Sequence, residues 1–586
     1  MPRFDAFCGP TNTSVSPNIT SEMTMNWIPE RNPVSIEGQG TDVHDKNIRC
    51  SLIRRPGLQT FVTLPKAPVR GLFPGEYRLF AVGGDHLYEV LSGGTIIDRS
   101  TPGFSGASGV GPAGGPIGND GNPVIGLFNG VQLLVVSNGV AYCDAGNGPV
   151  PAQQTSALFN LVIDPAPPVG TAGFVLTTTT GNYFTSADAG KSIQITGGTG
   201  FTLITQTVSS VTPNGSAVGA SAWGTAGSTG GTGTEFLGTQ TASAGAFMDG
   251  YYFVVPSPRT KSVNFSEINN GKSWPALQYF TKAAYPDNIS ALFADHEELY
   301  TFGDLESTQV WRDTGNLDNP FQSDQGAIMH LSCQASYSVV RLTNGVAWIG
   351  QDVRRGTRRA YHAVGSNPVV VSTPAVEAQW ATYDNVLNAT AFTYAAQGHE
   401  LWVINFPSAA GGSSATWVYD ANTGWWHQWG WWNAAGAAWG MIRTWVHCVV
   451  ALDQIHEKHY GGDYSTGQIY YMSTSYKTDD GSTMIRRRRA PHLTQENMRR
   501  FYSRFEIDCD RLGLQRIFWN RLGNGRDRIW QMDAQQSSET GGVTLTLGWS
   551  DDRTQSLQTV FTQTLDPSVD VQLSNAYLNW VDATWH

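Results

Sequence analysis

The sequence predicts an all-β chain: a β-propeller core with an extended N-terminal arm and a small inserted β-domain. Three observations carry this. Charged residues make up only 15% of the 586-residue chain, against 65 Gly and 20 Trp, a balance poor in helix surface and rich in turns and large aromatics. Short apolar runs bounded by Gly, Asn and Asp turns recur along most of it. A phrase of strand, tight turn and second strand returns at roughly 45 to 60 residues, the spacing of degenerate four-stranded blades. An array of β-sandwiches is the alternative arrangement.

Residues 1–70 read as an extended arm, interrupted by prolines at 10, 17, 29, 33, 56 and 65. Such a polar, Pro-rich lead-in more readily wraps a neighbour than builds its own core. Residues 71–165 open the propeller: 77–82 precedes the turn Gly83-Gly84-Asp85 and 86–90, and 132–136 precedes Ser137-Asn138-Gly139 and 140–142. Residues 166–245 are dense in Gly, Thr and Ser, with Asp188, Lys191 and Glu235 as their charges. They read as an inserted β-domain, with 219–233 alternatively a flexible linker. Residues 246–510 resume the propeller, with strand pairs at 298–303 and 309–311, 345–350 and 359–361, and 400–406 and 416–420. A further strand at 468–471 follows Gly461-Gly462-Asp463. Residues 511–586 form a C-terminal β segment whose path the pattern does not fix.

The formal net charge of −11 argues against a general nucleic-acid coat but leaves room for one basic face. Cysteines at 8, 50, 143, 333, 448 and 509 show no C-x-x-C spacing. A disulfide framework or zinc ribbon is therefore not expected, and isolated reduced thiols suit cytosolic synthesis. The N-terminus opens no signal-like apolar stretch, and no apolar run approaches the ~18 residues of a membrane helix.

The sharpest departure from the acidic balance is the stretch 484–505, with four consecutive arginines, a Pro491-His492 step and a second basic, aromatic-rich segment. Other landmarks are Asn26-Trp27-Ile28-Pro29-Glu30, Arg55-Pro56-Gly57-Leu58, Pro286-Asp287-Asn288, Asp295-His296-Glu297-Glu298-Leu299, Trp417-Val418-Tyr419-Asp420 and Gly462-Asp463-Tyr464. In order and spacing they resemble the packaged-DNA stabilisation (tail hub or nozzle) proteins of short-tailed bacteriophages. One departure is that Arg521-Leu522-Gly523 and Arg526-Asp527-Arg528 precede Trp549-Ser550-Asp551-Asp552, the reverse of the family's order.

The resemblance implies a structural virion protein, assembled in the host cytoplasm and located in the virion tail. It implies a homo-hexameric ring below the portal-adaptor, through whose channel packaged double-stranded DNA passes. The ring would retain that DNA and dock a tail fibre, spike, needle or plug. No enzyme activity, cofactor or metal is implied. The alternative is a β-propeller glycosidase or a glycan-binding tail protein.

Arg486, Arg487, Arg488 and Arg489, with Arg499, Arg500 and Arg504, are the candidate intersubunit or DNA-facing residues. Guanidinium groups pair bidentately with carboxylate or phosphate and stay charged. A smooth DNA conduit should avoid tight phosphate contacts, which favours a neighbouring subunit. A solvated turn pairing with Asp479 and Asp480 is the third possibility. An exposed run predicts little change in subunit stability on its removal.

Three other motifs carry weaker signals. The turn Ser266-Glu267-Ile268-Asn269-Asn270-Gly271-Lys272-Ser273-Trp274 resembles the aspartate-box hairpin of sialidases and other propellers, a structural device that packs its Trp into a blade. His456-Glu457-Lys458-His459 lacks the H-E-x-x-H pattern of a metal site. The cluster Trp425-Trp426-His427-Gln428-Trp429-Gly430-Trp431-Trp432 reads as core.

Overall fold

The computed structural model describes residues 7–14, 21–31, 50–101, 114–164, 174–179, 183–213, 215–316, 320–324, 326–351, 356–383, 385–407, 414–435, 438–493, 500–510, 515–520, 522, 524–525, 528–550, 558–565 and 572–582. Strands dominate them, and the architecture is a β-propeller. Among the described residues, seven antiparallel blades follow one another at 69–98, 125–151, 244–281, 289–323, 332–370, 390–429 and 444–473.

The middle strands of the blades are the apolar runs of the sequence. Leu133–Ser137 is buried throughout, and Glu298–Gly303 and His399–Phe406 nearly so. A middle strand has a neighbouring blade on each face, so it stays apolar along its length instead of alternating.

Each junction between blades has its own apolar cluster. Phe80, Val82 and Leu87 of blade 1 meet Leu133 and Val135 of blade 2, and Phe253 and Phe265 of blade 3 meet Trp311 and Phe321 of blade 4. Blade 5 packs Ile349 and Ala360 against Trp402, Trp417 and Trp426 of blade 6. The last junction closes the ring: Leu79, Ala81 and Tyr88 of blade 1 share a cluster with Tyr460 and Ile469 of blade 7. There Trp445 Nε1 donates to the Val69 carbonyl at 2.5 Å.

Blade 7 is built from both ends of the propeller sequence. Its first three strands are Thr444–Val450, Lys458–Asp463 and Gln468–Ser473, and its fourth is Gly57–Thr63, antiparallel to Gln468–Ser473. The described part of the lead-in thus winds through this subunit, where the proline pattern suggested an arm around a neighbour. Ser21–Met25 lies between Trp425–Trp429 of blade 6 and Met484–Arg489.

Beyond the ring, this blade 6 sheet continues through Met484–Arg489, Ile529–Gln536, Thr544–Ser550 and Gln558–Thr564. A second sheet of Trp27–Arg31, Cys50–Arg54, Gln572–Asp582, Arg500–Asp510 and Gln515–Asn520 faces it. The two enclose Trp27, Leu52, Phe505, Trp519, Trp530 and Leu547. The C-terminal segment therefore contributes strands to both sheets of a β-sandwich, which Met484–Arg489, Arg500–Asp510 and strands from the N-terminal segment complete. Cys8 is disulfide-bonded, which departs from the expectation of isolated thiols, whereas Cys143, Cys333 and Cys448 are free and buried.

The insertion supplies six strands of a sheet framed by Gln153–Ile163 and Thr229–Thr239, with Ser273–Pro275 from the blade 3 stretch as a seventh, parallel to Gln153–Ile163, so its sheet begins before residue 166 and the stretch at 229–233 is strand. Its charges converge: Lys191 pairs with Asp188 and lies 3.7 Å from Glu235. Burial, with Asp188 adding, pushes Glu235 up to about 7.

Thr155 and Phe236 are cross-strand partners at its base. Joining them through an Asn-Gly turn in place of 156–235 is expected to leave a cooperatively melting propeller. Removing 166–245 instead takes out Ala242 and Ala244, both buried in the core at blade 3, and is expected to abolish soluble protein. Circular dichroism melts of the two deletions check this; equal melting of both would show that the boundary is misplaced.

Candidate functional site

The four arginines form a strand inside the subunit. Met484–Arg489 pairs with Ser21–Met25 on one side and Ile529–Gln536 on the other. Arg486, Arg488 and Arg489 are 1%, 0% and 7% exposed within the subunit, where an intersubunit or DNA-facing run was expected to be exposed and a solvated turn was the third possibility.

Arg488 is the most enclosed. Its Nε donates to the Phe7 carbonyl, its Nη1 to the Pro10 carbonyl at 3.1 Å and to Thr24 Oγ1 at 3.0 Å, and its Nη2 to Glu22 Oε1 at 2.7 Å. Burial pulls its guanidinium below the ordinary value, and Glu22 opposes this. Arg487, half-buried, forms a fork with Asp533 at 2.9 and 2.8 Å. Arg489 donates twice to Gln531 Oε1, and Arg486 stacks over Trp27 at 5.5 Å. The strand clamps the N-terminal segment to the C-terminal strands.

The anticipated partners Asp479 and Asp480 are engaged elsewhere. Asp479 holds Arg55 at 2.5 Å, and Asp480 accepts from Thr60. Arg504 is half-buried and pairs with Glu506 at 3.0 Å. Arg500 begins the strand Arg500–Asp510, and Arg499 lies outside the described residues.

The box-like turn is structural. Trp274 is buried, its Nε1 donates to Gly271 O at 2.9 Å, and Asn269 takes φ 55°. His456 pairs with Asp453 in the open, while His459 turns to His447, with ring nitrogens 3.0 Å apart. Among the described residues no group of three metal-ligating side chains converges, and no helix is long and apolar enough to cross a membrane.

A cleft of about 640 Å³ opens between blades 5 and 6, lined among others by Thr343, Asn344, His362, His399, Glu400 and Asn422. No sequence motif marked it. His399 Nδ1 lies 2.8 Å from Asp420 Oδ2, and this hydrogen bond raises the His399 pKa against burial. Burial alone would raise Asp420, but hydrogen bonds from His399 and Thr423 hold it below the ordinary value. Behind them His427 is fully buried, and among the described residues neither ring nitrogen has a hydrogen-bond partner.

Burial pushes His427 down to about 3. It stays neutral in the fold while the unfolded chain takes up a proton below about pH 6.5. Stability should therefore fall as the pH drops from about 6.5 toward 3, by about 1.4 kcal/mol per pH unit from this residue. The raised His399 acts oppositely: its contribution is complete below about pH 6.5 and is lost as the pH rises through its folded value. Denaturant melts across pH should show a shallower acid slope for His427→Leu, and an unchanged slope would refute the buried neutral ring.

Residues 228–477 match a family model described as Bacteriophage P22 Gp10, beta-propeller. They include blades 3 to 6 and the first three strands of blade 7. No curated protein matches the chain. Among solved structures it is similar to the computationally designed Ika8 protein (11% identity, TM-score 0.30, 70% of this chain and 99% of that one). It is also similar to a chain of the Mitotic Checkpoint Complex (7%, 0.30, 75% and 98%) and to Citrobacter koseri AztD (11%, 0.29, 64% and 90%). These likenesses are too low to carry an argument. Residues 228–477 thus resemble the packaged-DNA stabilisation family of bacteriophage proteins and share its β-propeller.

Proposed function

We propose that the chain is a structural protein of a short-tailed phage tail, assembled in the host cytoplasm as a hexameric ring below the portal-adaptor. The ring extends the DNA channel, retains packaged DNA and docks fibres, spikes or a plug. The family match over the propeller is the observation that carries this reading. Ring assembly needs two different, mutually fitting surfaces on each subunit. With Arg486, Arg488 and Arg489 enclosed, we assign contacts to a neighbour or to DNA to Arg499, Arg500 and Arg504, the last already paired with Glu506, with Arg487 at the margin. A net charge of −11 suits a conduit that should not hold phosphate tightly.

Sedimentation of the purified protein with its adaptor is expected to give a closed ring. Particles made without the protein are expected to fill with DNA and then lose it to nuclease. Stable, DNA-retaining particles lacking the protein would overturn the reading.

A further inference from the structure

We propose that the cleft between blades 5 and 6 is a binding site for a neutral saccharide. The proposal does not depend on the tail reading and concerns binding alone.

The floor of the cleft is a built polar group. His399, 6% exposed, is fixed through Nδ1 by Asp420, which is fully buried and held by Thr423 Oγ1 at 2.8 Å and the Asn422 N–H at 3.0 Å. Among the described residues the Nε2 of His399 has no hydrogen-bond partner, and it belongs to a residue lining the cleft. Nearby, His362 Nε2 also lacks a hydrogen-bond partner among the described residues. Glu400 accepts from the Thr343 N–H at 2.7 Å through one oxygen, and its other oxygen is not engaged among the described residues. Asn344 adds an amide, Asn422 adds one whose Nδ2 also donates to the Gly398 carbonyl, and Tyr419 adds a ring.

The chemistry of these groups selects the ligand. An anion would face the Glu400 carboxylate, and a cation would face His399 whenever that ring is protonated. With Nδ1–H committed to Asp420, Nε2 is an acceptor in the neutral ring and a donor in the charged one. A hydroxyl satisfies both states, because it donates and accepts, whereas a carboxylate or phosphate needs the charged ring. Several hydroxyls on one molecule can serve His399, Glu400 and the amides together. The volume lies within the roughly 300–1,000 Å³ of small-molecule sites. Glu400 is the carboxylate lining the cleft, whereas glycoside hydrolysis ordinarily uses a flanking pair; the site is therefore suited to recognition.

The test uses the full chain, with maltose, lactose, cellobiose, mannobiose and diacetylchitobiose as probes in saturation-transfer NMR and calorimetry. Glucose 6-phosphate and spermidine serve as the anionic and cationic comparisons. At least one neutral disaccharide is expected to bind, with an affinity changing less than about threefold between about pH 5.5 and about pH 8. Glu400→Gln and Asn344→Ala are expected to weaken it by about tenfold. Ala395→Trp, on an exposed residue near the end of the strand Thr390–Ala396 at the rim, should abolish it with the melting temperature unchanged. The proposal is overturned if no neutral disaccharide binds, if only the phosphate or the polyamine binds, or if binding survives Ala395→Trp.

Discussion

Replacing Arg488 with Met is expected to destabilise the subunit by about 3–5 kcal/mol, the cost of removing one partner of a buried charge pair. The lost guanidinium leaves Glu22 without its cation and the Phe7 and Pro10 carbonyls without their donor. Arg487→Met should cost only about 1 kcal/mol, because its pair with Asp533 is partly open to water. Changing all four arginines to Gln should accordingly lower the melting temperature of the isolated subunit. Guanidinium chloride melts of the two single variants decide the matter: equal, small effects would return the run to the surface.

Deleting residues 1–63 is expected to cost the subunit its cooperative transition altogether. The deletion removes the fourth strand of blade 7, the strand Ser21–Met25 between blade 6 and the arginine strand, and Trp27 and Leu52 from the sandwich core. A blade missing its outer strand leaves the apolar cluster it shares with blade 1 uncovered, including Tyr460 and Ile469. Calorimetry should show no single sharp endotherm, and the protein should expose apolar surface to a fluorescent dye. A truncated chain that melts sharply would mean that the ring closes without its N-terminal strand.

Local sequence made the middle strands of the blades legible because neighbouring blades bury them on both faces. Glu298–Gly303, Gly345–Gln351 and His399–Phe406 stand where their apolar runs placed them. Outer strands such as Asn367–Val370 and Tyr279–Thr281 are short and half-exposed, so they carry little periodicity. Nothing local announces that Leu52 faces Leu573 or that Val62 faces Ile469. The burial of the arginine run is illegible for a related reason. Charge density suggests water, but the groups that satisfy Arg488 include backbone carbonyls far away in sequence, and carbonyls leave no compositional trace. The cleft was hidden similarly: 400–406 and 416–420 read correctly as strands, yet only their register brings the ends His399 and Asp420 together.

The closing strand has a consequence for the newborn chain. Gly57–Thr63 leaves the ribosome early, but its partner Gln468–Ser473 comes roughly 400 residues later. At about 5–20 residues per second that interval is roughly 20–80 s. Throughout it, an apolar strand edge and a growing stack of open blades stand without their seal. Such species aggregate readily, so yield in a heterologous host should depend on chaperone supply and on growth temperature more steeply than the stability of the finished ring would suggest. Because the same strand joins the beginning of the chain to its far end, a prematurely terminated polypeptide cannot complete a ring. Subunits truncated before residue 468 would thus be left to proteolysis before they could enter an assembly.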